Sequence, residues 1–289
     1  MIRCRYFLFT LLCGLLFNIA LGAPIEVPEK KFSLRFSTLF NFINFSAKDS
    51  YFDNCQLNQP IDIGIGGGIG DFFWDFTYAL PFSIDDKSSP SEVFELNTNF
   101  YPKGLWFHGM VGVYNRFVFS VEKEYVETKV QIFETRISGI YSLENEYFSW
   151  RAAYELDRIQ KRTAGSWLVG GEFRLLGLHS KDQMAPYYAK RRMLPILAPK
   201  GGYSHTFIFS NDWFLNLTLL GEIGFGIDLL SDKFVLVPES IPKLAFGKNG
   251  KSWAWNMVIQ CDYTLLGHSI KHWDSIYDAS FVVLFVWRI

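Results

Sequence analysis

The stretch Lys31-Phe32-Ser33-Leu34-Arg35-Phe36-Ser37-Thr38-Leu39-Phe40-Asn41-Phe42 alternates in character at almost every step. Phe32, Leu34, Phe36, Phe40 and Phe42 share one face, and Lys31, Ser33, Arg35, Ser37 and Asn41 share the other. A period of two marks a β-strand, whose successive side chains point to opposite sides. Ile61, Ile63, Ile65 and Ile69 alternate in the same way with Asp62, Gly64, Gly66 and Gly68. Phe72, Trp74, Phe76, Tyr78 and Leu80 then oppose Asp75 and Thr77. The pattern returns in 93–101, 105–119, 130–141, 147–157, 166–176, 203–209, 213–228, 252–265 and 277–289. This predicts about twelve strands, many with the roughly 9 to 11 residues that a tilted membrane-crossing strand needs.

Composition narrows the class. An aromatic share of 18% and a formal charge of −1 exclude a disordered chain. The charge also gives a nucleic-acid partner no electrostatic support. Past the N-terminus no apolar run approaches the roughly 18 residues of a spanning helix. A soluble sandwich would alternate too, so the decision rests on which residues occupy each face. In a sandwich the polar face meets water and carries many Lys and Glu. Here Lys is mostly kept to expected loops, with Lys48, Lys123, Lys200 and Lys248 as examples. The polar faces carry Arg35, Asp75, Glu95, Arg116, Glu134 and Arg136, then Arg151, Glu155, Glu172, Arg174, Glu222 and Asp262. These twelve are the expected lumen-facing charges, cations and anions pairing across an enclosed interior. Trp74, Trp150, Trp213, Trp253 and Trp287 stand near strand ends, as aromatic girdles do. An open sheet edge in hydrocarbon would leave N–H and C=O groups unpaired, so the sheet must close. The expected fold is all-β, a closed antiparallel transmembrane β-barrel.

At the N-terminus Arg3 and Arg5 precede an apolar stretch from Tyr6 to Ile19, and Ala20-Leu21-Gly22 reads as a cleavage site. The expected organisation is a signal peptide over 1–22 and a barrel over 23–289, placed in the outer membrane of a diderm bacterium with its lipid as solvent. Processing removes Arg3 and Arg5 and no acid, leaving 26 basic against 29 acidic residues. Cys55 and Cys261 remain; they either pair or stand as independent thiols. Tyr277, Ala279, Phe281, Val283, Phe285, Trp287 and Ile289 line one face of the last segment. Strands that end bacterial outer-membrane barrels look like this and are read by the barrel-assembly machinery, the expected protein partner; those strands usually end in Phe or Trp, and Ile289 departs from that.

Short connections at 70–71, 102–103 and 143–146 fit periplasmic turns, and the longer 46–59, 83–91 and 120–128 fit extracellular loops. The alternation breaks at 179–200, a long connection on the nominally periplasmic side, and at Asn211–Asp212, a short turn on the other. Either one strand is miscounted or part of 179–200 folds into the lumen as a plug.

The run Tyr147-Phe148-Ser149-Trp150-Arg151-Ala152-Ala153-Tyr154, followed by Gln160-Lys161-Arg162-Thr163-Ala164-Gly165-Ser166, resembles the bacterial domain of unknown function 4421 family. There an aromatic-Ser-aromatic-Arg-Ala-Ala strand precedes a Gln-x-x-Ser-Ala-Gly-Ser turn; Thr163 departs from the usual Ser. The glycines of 64–70, the segments 94–101 and 108–114, Gly202-Tyr203 and 213–226 extend the likeness. The resemblance implies an outer-membrane barrel and no particular activity.

Few groups suggest chemistry. Ser204 and His205 are neighbours on an expected strand and so face opposite ways, which defeats a serine-hydrolase pair. His268, His272 and Asp274 fall in an expected loop without fixed metal-ligand spacing. No helix follows Gly64–Gly70, so the dinucleotide reading of these glycines fails. No catalytic residue, metal or cofactor is assigned. The expected function is a structural or interaction barrel with a charge-paired lumen. A narrow solute channel is the alternative, and an outer-membrane lipid-modifying enzyme the second.

Overall fold

The computed structural model describes residues 24–46, 55–58, 61–83, 88–102, 104–121, 124–127, 130–180, 191–269 and 272–289. The expected signal at 1–22 lies outside them, as do the side chains of Cys55, His268, His272 and Asp274.

In chain order the strands begin with β1 (Ile25–Glu26), β2 (Phe32–Ser46), β3 (Cys55–Leu57), β4 (Asp62–Ile69) and β5 (Phe72–Ala79). Next come β6 (Glu92–Phe100), β7 (Leu105–Asn115), β8 (Phe117–Val121), β9 (Glu124–Glu127) and β10 (Val130–Ser142). A short helix α1 (Trp150–Tyr154) precedes β11 (Ile159–Gln160), β12 (Ala164–Ser180), β13 (Arg191–Ile208) and β14 (Trp213–Asp228). β15 (Lys233–Asn249), β16 (Trp253–Ser269) and β17 (His272–Arg288) complete the chain.

Twelve of these form the wall, in the order β2-β4-β5-β6-β7-β10-β12-β13-β14-β15-β16-β17. Every neighbour is antiparallel, and β17 pairs with β2 from Ser275↔Ser46 to Arg288↔Ser33, so no wall edge is left open. The apolar side faces out. In β14, Leu217, Leu219, Ile223, Phe225 and Ile227 are exposed while Asn216, Thr218, Leu220 and Glu222 are buried. A water-soluble sheet has the opposite arrangement. Trp167, Trp213, Trp253 and Trp287 sit near one rim of this belt. Trp150 departs from the expected girdle, because it is buried inside the barrel.

The count of twelve holds, but its membership changes. Residues 147–157 are not a wall strand. Ala152 and Ala153 are both buried, so alternation fails there, and Ser149 caps a helical turn by accepting the Ala152 amide at 3.3 Å. In their place stands β15, whose Pro238 and Pro242 hide it from a strand reading, since proline cannot donate to a ladder. Its pairing with β16 jumps from Leu236↔Gly267 to Glu239↔Thr264 and from Ser240↔Tyr263 to Lys243↔Gln260, passing over both prolines. Removing one strand and adding another resolves the broken alternation of connections. Those at 70–71, 101–104, 143–163, 209–212 and 250–252 share one end, the turn end. The connection between β12 and β13 belongs to the opposite, loop end. The long 143–163 connection enters the lumen; of the expected 179–200 connection, residues 179–180 and 191–200 belong to β12 and β13, and 181–190 lie outside the described residues.

Candidate functional site

The lumen is the part of the molecule where chemistry concentrates, and it has three layers. At the turn end, 143–163 folds inward as a plug. Phe148, Trp150, Ala152, Ala153, Leu156 and Ile159 are buried against the wall, and β11 pairs with β1, which straps the plug from outside. The plug backbone cannot join a ladder, so wall amides satisfy it. Asn256 donates to the Ala153 carbonyl at 2.6 Å, and Asn249 donates to those of Ala152 and Arg158, each at 2.7 Å. Arg288 donates to the Leu156 carbonyl and to Asn249.

Charges lock the same layer. Arg35 on β2 joins Asp75 on β5 at 2.9 Å and Glu155 of the plug. Tyr101 donates to the other Glu155 oxygen at 2.7 Å. Arg151 pairs with Asp71 at 2.5 Å and with Asp157, and its guanidinium lies 4.9 Å from the Tyr101 ring centre. Burial pushes the Asp157 carboxyl above its ordinary value, against the pull of Arg151 and Arg158. Trp106 of the wall stacks on Trp150 of the plug at 4.9 Å, and Tyr154 lies tilted against Trp150 at 4.7 Å.

Above the plug lies a charge layer. Arg174 reaches Glu172 at 2.8 Å, Glu222 at 2.9 Å and Glu239 at 2.5 Å. Lys200 bridges Glu172 at 2.7 Å and Glu222 at 2.9 Å, and Arg136 pairs with Glu134 at 2.6 Å. Of these groups, Glu134, Arg136, Glu172 and Lys200 line a cavity of about 330 Å³, together with Glu95, Asp262, Asp278 and Lys243. A second cavity of about 270 Å³ lies on the plug side and shares Trp106, Ile140 and Trp150 with the first.

At the loop end the lumen turns apolar. Ile132, Leu176, Leu194, Ile196, Val235 and Leu266 meet Leu57 of β3 and Phe117 of β8 in one buried cluster. β8 leaves the wall after β7 yet pairs with β3 beside β2, so it spans the ends of β4, β5 and β6. The result is a roof.

The structure brings Arg35, Asp75, Glu134, Arg136, Glu172, Arg174 and Glu222 inside from wall strands, with Glu95 and Asp262 along the same cavity. Arg151 and Glu155 are also inside, but on the plug and not on a strand. Arg116 corrects the expectation. A left-handed backbone there, φ 62°, turns the chain from β7 into β8, and its side chain pairs with Glu92 at 2.7 Å on the rim. Lys200 is no loop residue: it sits mid-strand and points inward. Lys243 and Glu239 were hidden with β15, although Glu239 and Lys243 keep one parity with Ile241 and would have appeared once the prolines were allowed. Asp278 lies on the polar side of the last strand and was passed over because the apolar side dominates that reading.

Ser204 is buried and 2.6 Å from Thr218, while His205 points outward to Tyr203 at 3.1 Å, so the two do face opposite ways. Cys261 is a free thiol. Among the described residues no group of three or more His, Cys, Asp or Glu is placed to hold a metal ion.

The family described as Domain of unknown function (DUF4421) matches residues 25–277, and the chain belongs to it. The curated proteins gave no match. Among solved structures, the translocator domain of autotransporter NalP from Neisseria meningitidis is similar, with a TM-score of 0.50 and 12% identity over 100% of this chain and 95% of that one. OmpT of Vibrio cholerae aligns at a TM-score of 0.37 and 10% identity, over 93% of this chain and all of that chain. At such identities the likeness is one of fold. A closed barrel with an apolar outer belt and this kind of neighbour is an outer-membrane β-barrel, and the bacterial outer membrane is its place.

Proposed function

We propose that this member of the DUF4421 family is an occluded barrel, a structural or interaction protein whose loop end faces the cell exterior and carries contact with a partner. One observation carries the reading: the lumen is filled twice over, by a plug at the turn end and an apolar roof at the loop end. The short turns at 70–71, 101–104, 209–212 and 250–252 support a periplasmic side for the plug end. An apolar constriction resists wetting, and beneath it Arg174 and Lys200 are held in ion pairs with Glu172 and Glu222. The closing strand β17 is the segment through which the barrel-assembly machinery would recognise the chain. Planar-bilayer recording of the refolded protein tests the proposal. The expected trace is silent; reproducible unitary currents would make the protein a narrow channel instead.

A further inference from the structure

The lumenal charges do not balance. Arg35, Arg136, Arg174 and Lys200 all sit in ion pairs, and Lys243, which also lines the cavity, is a fifth cation. Carboxylates outnumber them. Glu95 accepts from the Tyr114 hydroxyl at 2.6 Å, and Asp262 accepts from the Gln260 amide at 2.8 Å with the Lys243 and Arg136 charges in its surroundings. Asp278 makes no hydrogen bond or ion pair within its reach among the described residues, and it is enclosed except toward the cavity it lines. It faces Asp262 directly across β16 and β17. Glu95 and Glu134 add to the negative field around it, and Arg136 opposes them.

A carboxylate withdrawn from bulk water without a partner is costly, by several kcal/mol in general. The cavity floor supplies the complementary feature. Trp106 stacks on Trp150, Tyr154 lies tilted against Trp150, and the Lys243 ammonium rests 6.0 Å from the Trp150 and Tyr154 ring centres. Ring faces attract ammonium groups, and the Trp106 ring carries no cation contact among the described residues.

We propose that the central cavity binds a small organic cation bearing primary ammonium groups, held by Asp278, Asp262 and Glu95 and admitted from the plug side past the Trp106–Trp150 stack. An ammonium offers three donors, which suits carboxylates spread over β6, β16 and β17. A volume of about 330 Å³ accommodates a short aliphatic di- or triamine. A metal ion fits less well, because the described carboxylates are too dispersed to coordinate one. The cavity on the plug side shares both indoles with the central one, so displacing Trp150 joins the two. The site requires the enclosed cavity, not electrical silence, so it can fail while the occluded-barrel reading stands, and the reverse.

The test uses the mature chain folded in detergent micelles, titrated with spermidine and putrescine at constant ionic strength and followed by calorimetry and tryptophan fluorescence. The expected result is saturable binding that quenches or shifts the indole emission, weakened at least tenfold in Asp278→Asn and in Asp262→Asn. Glu92→Gln, at the exposed rim, leaves it unchanged. Spermidine should also raise the unfolding temperature of the wild type and not that of Asp278→Asn. The proposal is overturned by an absence of saturable binding in the wild type, by an equal response to magnesium chloride, or by full affinity in Asp278→Asn. Should a carboxylate variant fail to fold, the wild-type titrations against amine and magnesium decide alone.

Discussion

Tyr101 of the barrel wall donates its hydroxyl hydrogen to Glu155 of the plug at 2.7 Å, while Arg35 holds the other oxygen of the same carboxylate. One acidic side chain thus joins the plug to β2 and to the turn after β6. Glu155→Ala leaves Arg35 with Asp75 and the backbone carbonyl of residue 155, and takes the carboxylate acceptor from Tyr101. Loss of one partner in a buried pair costs about 3–5 kcal/mol. Tyr101→Phe removes a single bond to a charged group and should cost about 1–2 kcal/mol. Thermal unfolding in detergent reads both, and equal midpoints for wild type and Glu155→Ala would remove the plug lock from consideration.

The two seals lie in series, which predicts a non-additive response. Replacing 147–160 by a flexible linker should leave the bilayer silent, because Leu194 and Ile196 still close the roof. Adding Leu194→Ser and Ile196→Ser to that deletion should yield steady currents. Current from the plug deletion alone would show that the roof does not seal.

The strap outside the membrane responds to pH. The Lys251 ammonium, with Lys161 beside it, holds the Glu26 carboxyl below its ordinary 4.5. Burial opposes the charge on Lys161, but Asp212 and Glu26 outweigh it and raise the ammonium above 10.5. A lowered carboxyl contributes stability above its unfolded value and loses it as pH falls through the folded one. A raised amine contributes fully below its unfolded value and loses it as pH rises through the folded one. The strap should therefore hold between about pH 5 and pH 10. A nitroxide at Val27, in a background without other cysteines, should become mobile as pH drops from 5 to 3. Glu26→Gln should abolish that transition, and a spectrum constant across the range would count against the clasp.

Close strand approach sets a further asymmetry. A Cβ on Gly202 would lie 2.0 Å from the Leu219 carbonyl oxygen, whereas one on Gly201 meets nothing closer than 3.5 Å. Gly202→Ala must move backbone and should cost about 1–3 kcal/mol. Gly201→Ala should stay within about 0.5 kcal/mol. Urea unfolding of the two variants in micelles distinguishes them; similar losses at both positions would refute the steric account.

Alternation alone was enough to read a closed barrel of twelve strands, its greasy exterior and most of the inward charges, because β geometry ties sequence parity to a face and a bilayer punishes any exception. Phe36 against Arg35, or Leu219 against Thr218, carries that information locally. What parity cannot carry is whether an alternating segment joins the wall. Trp150 and Ala152 look as strand-like as Trp213 and Leu215 until the wall amides of Asn249 and Asn256 draw their backbone inward. Pro238 and Pro242 look like strand breakers until β14 supports the opposite edge. Which carboxylates find a cation was decided only partly along the chain. Glu172 meets Arg174 and Glu134 meets Arg136 two residues apart on one strand. Glu222 on β14 instead meets Lys200 on β13 and Arg174 on β12, and Asp278 meets no cation among the described residues, because pairing between strands depends on their register.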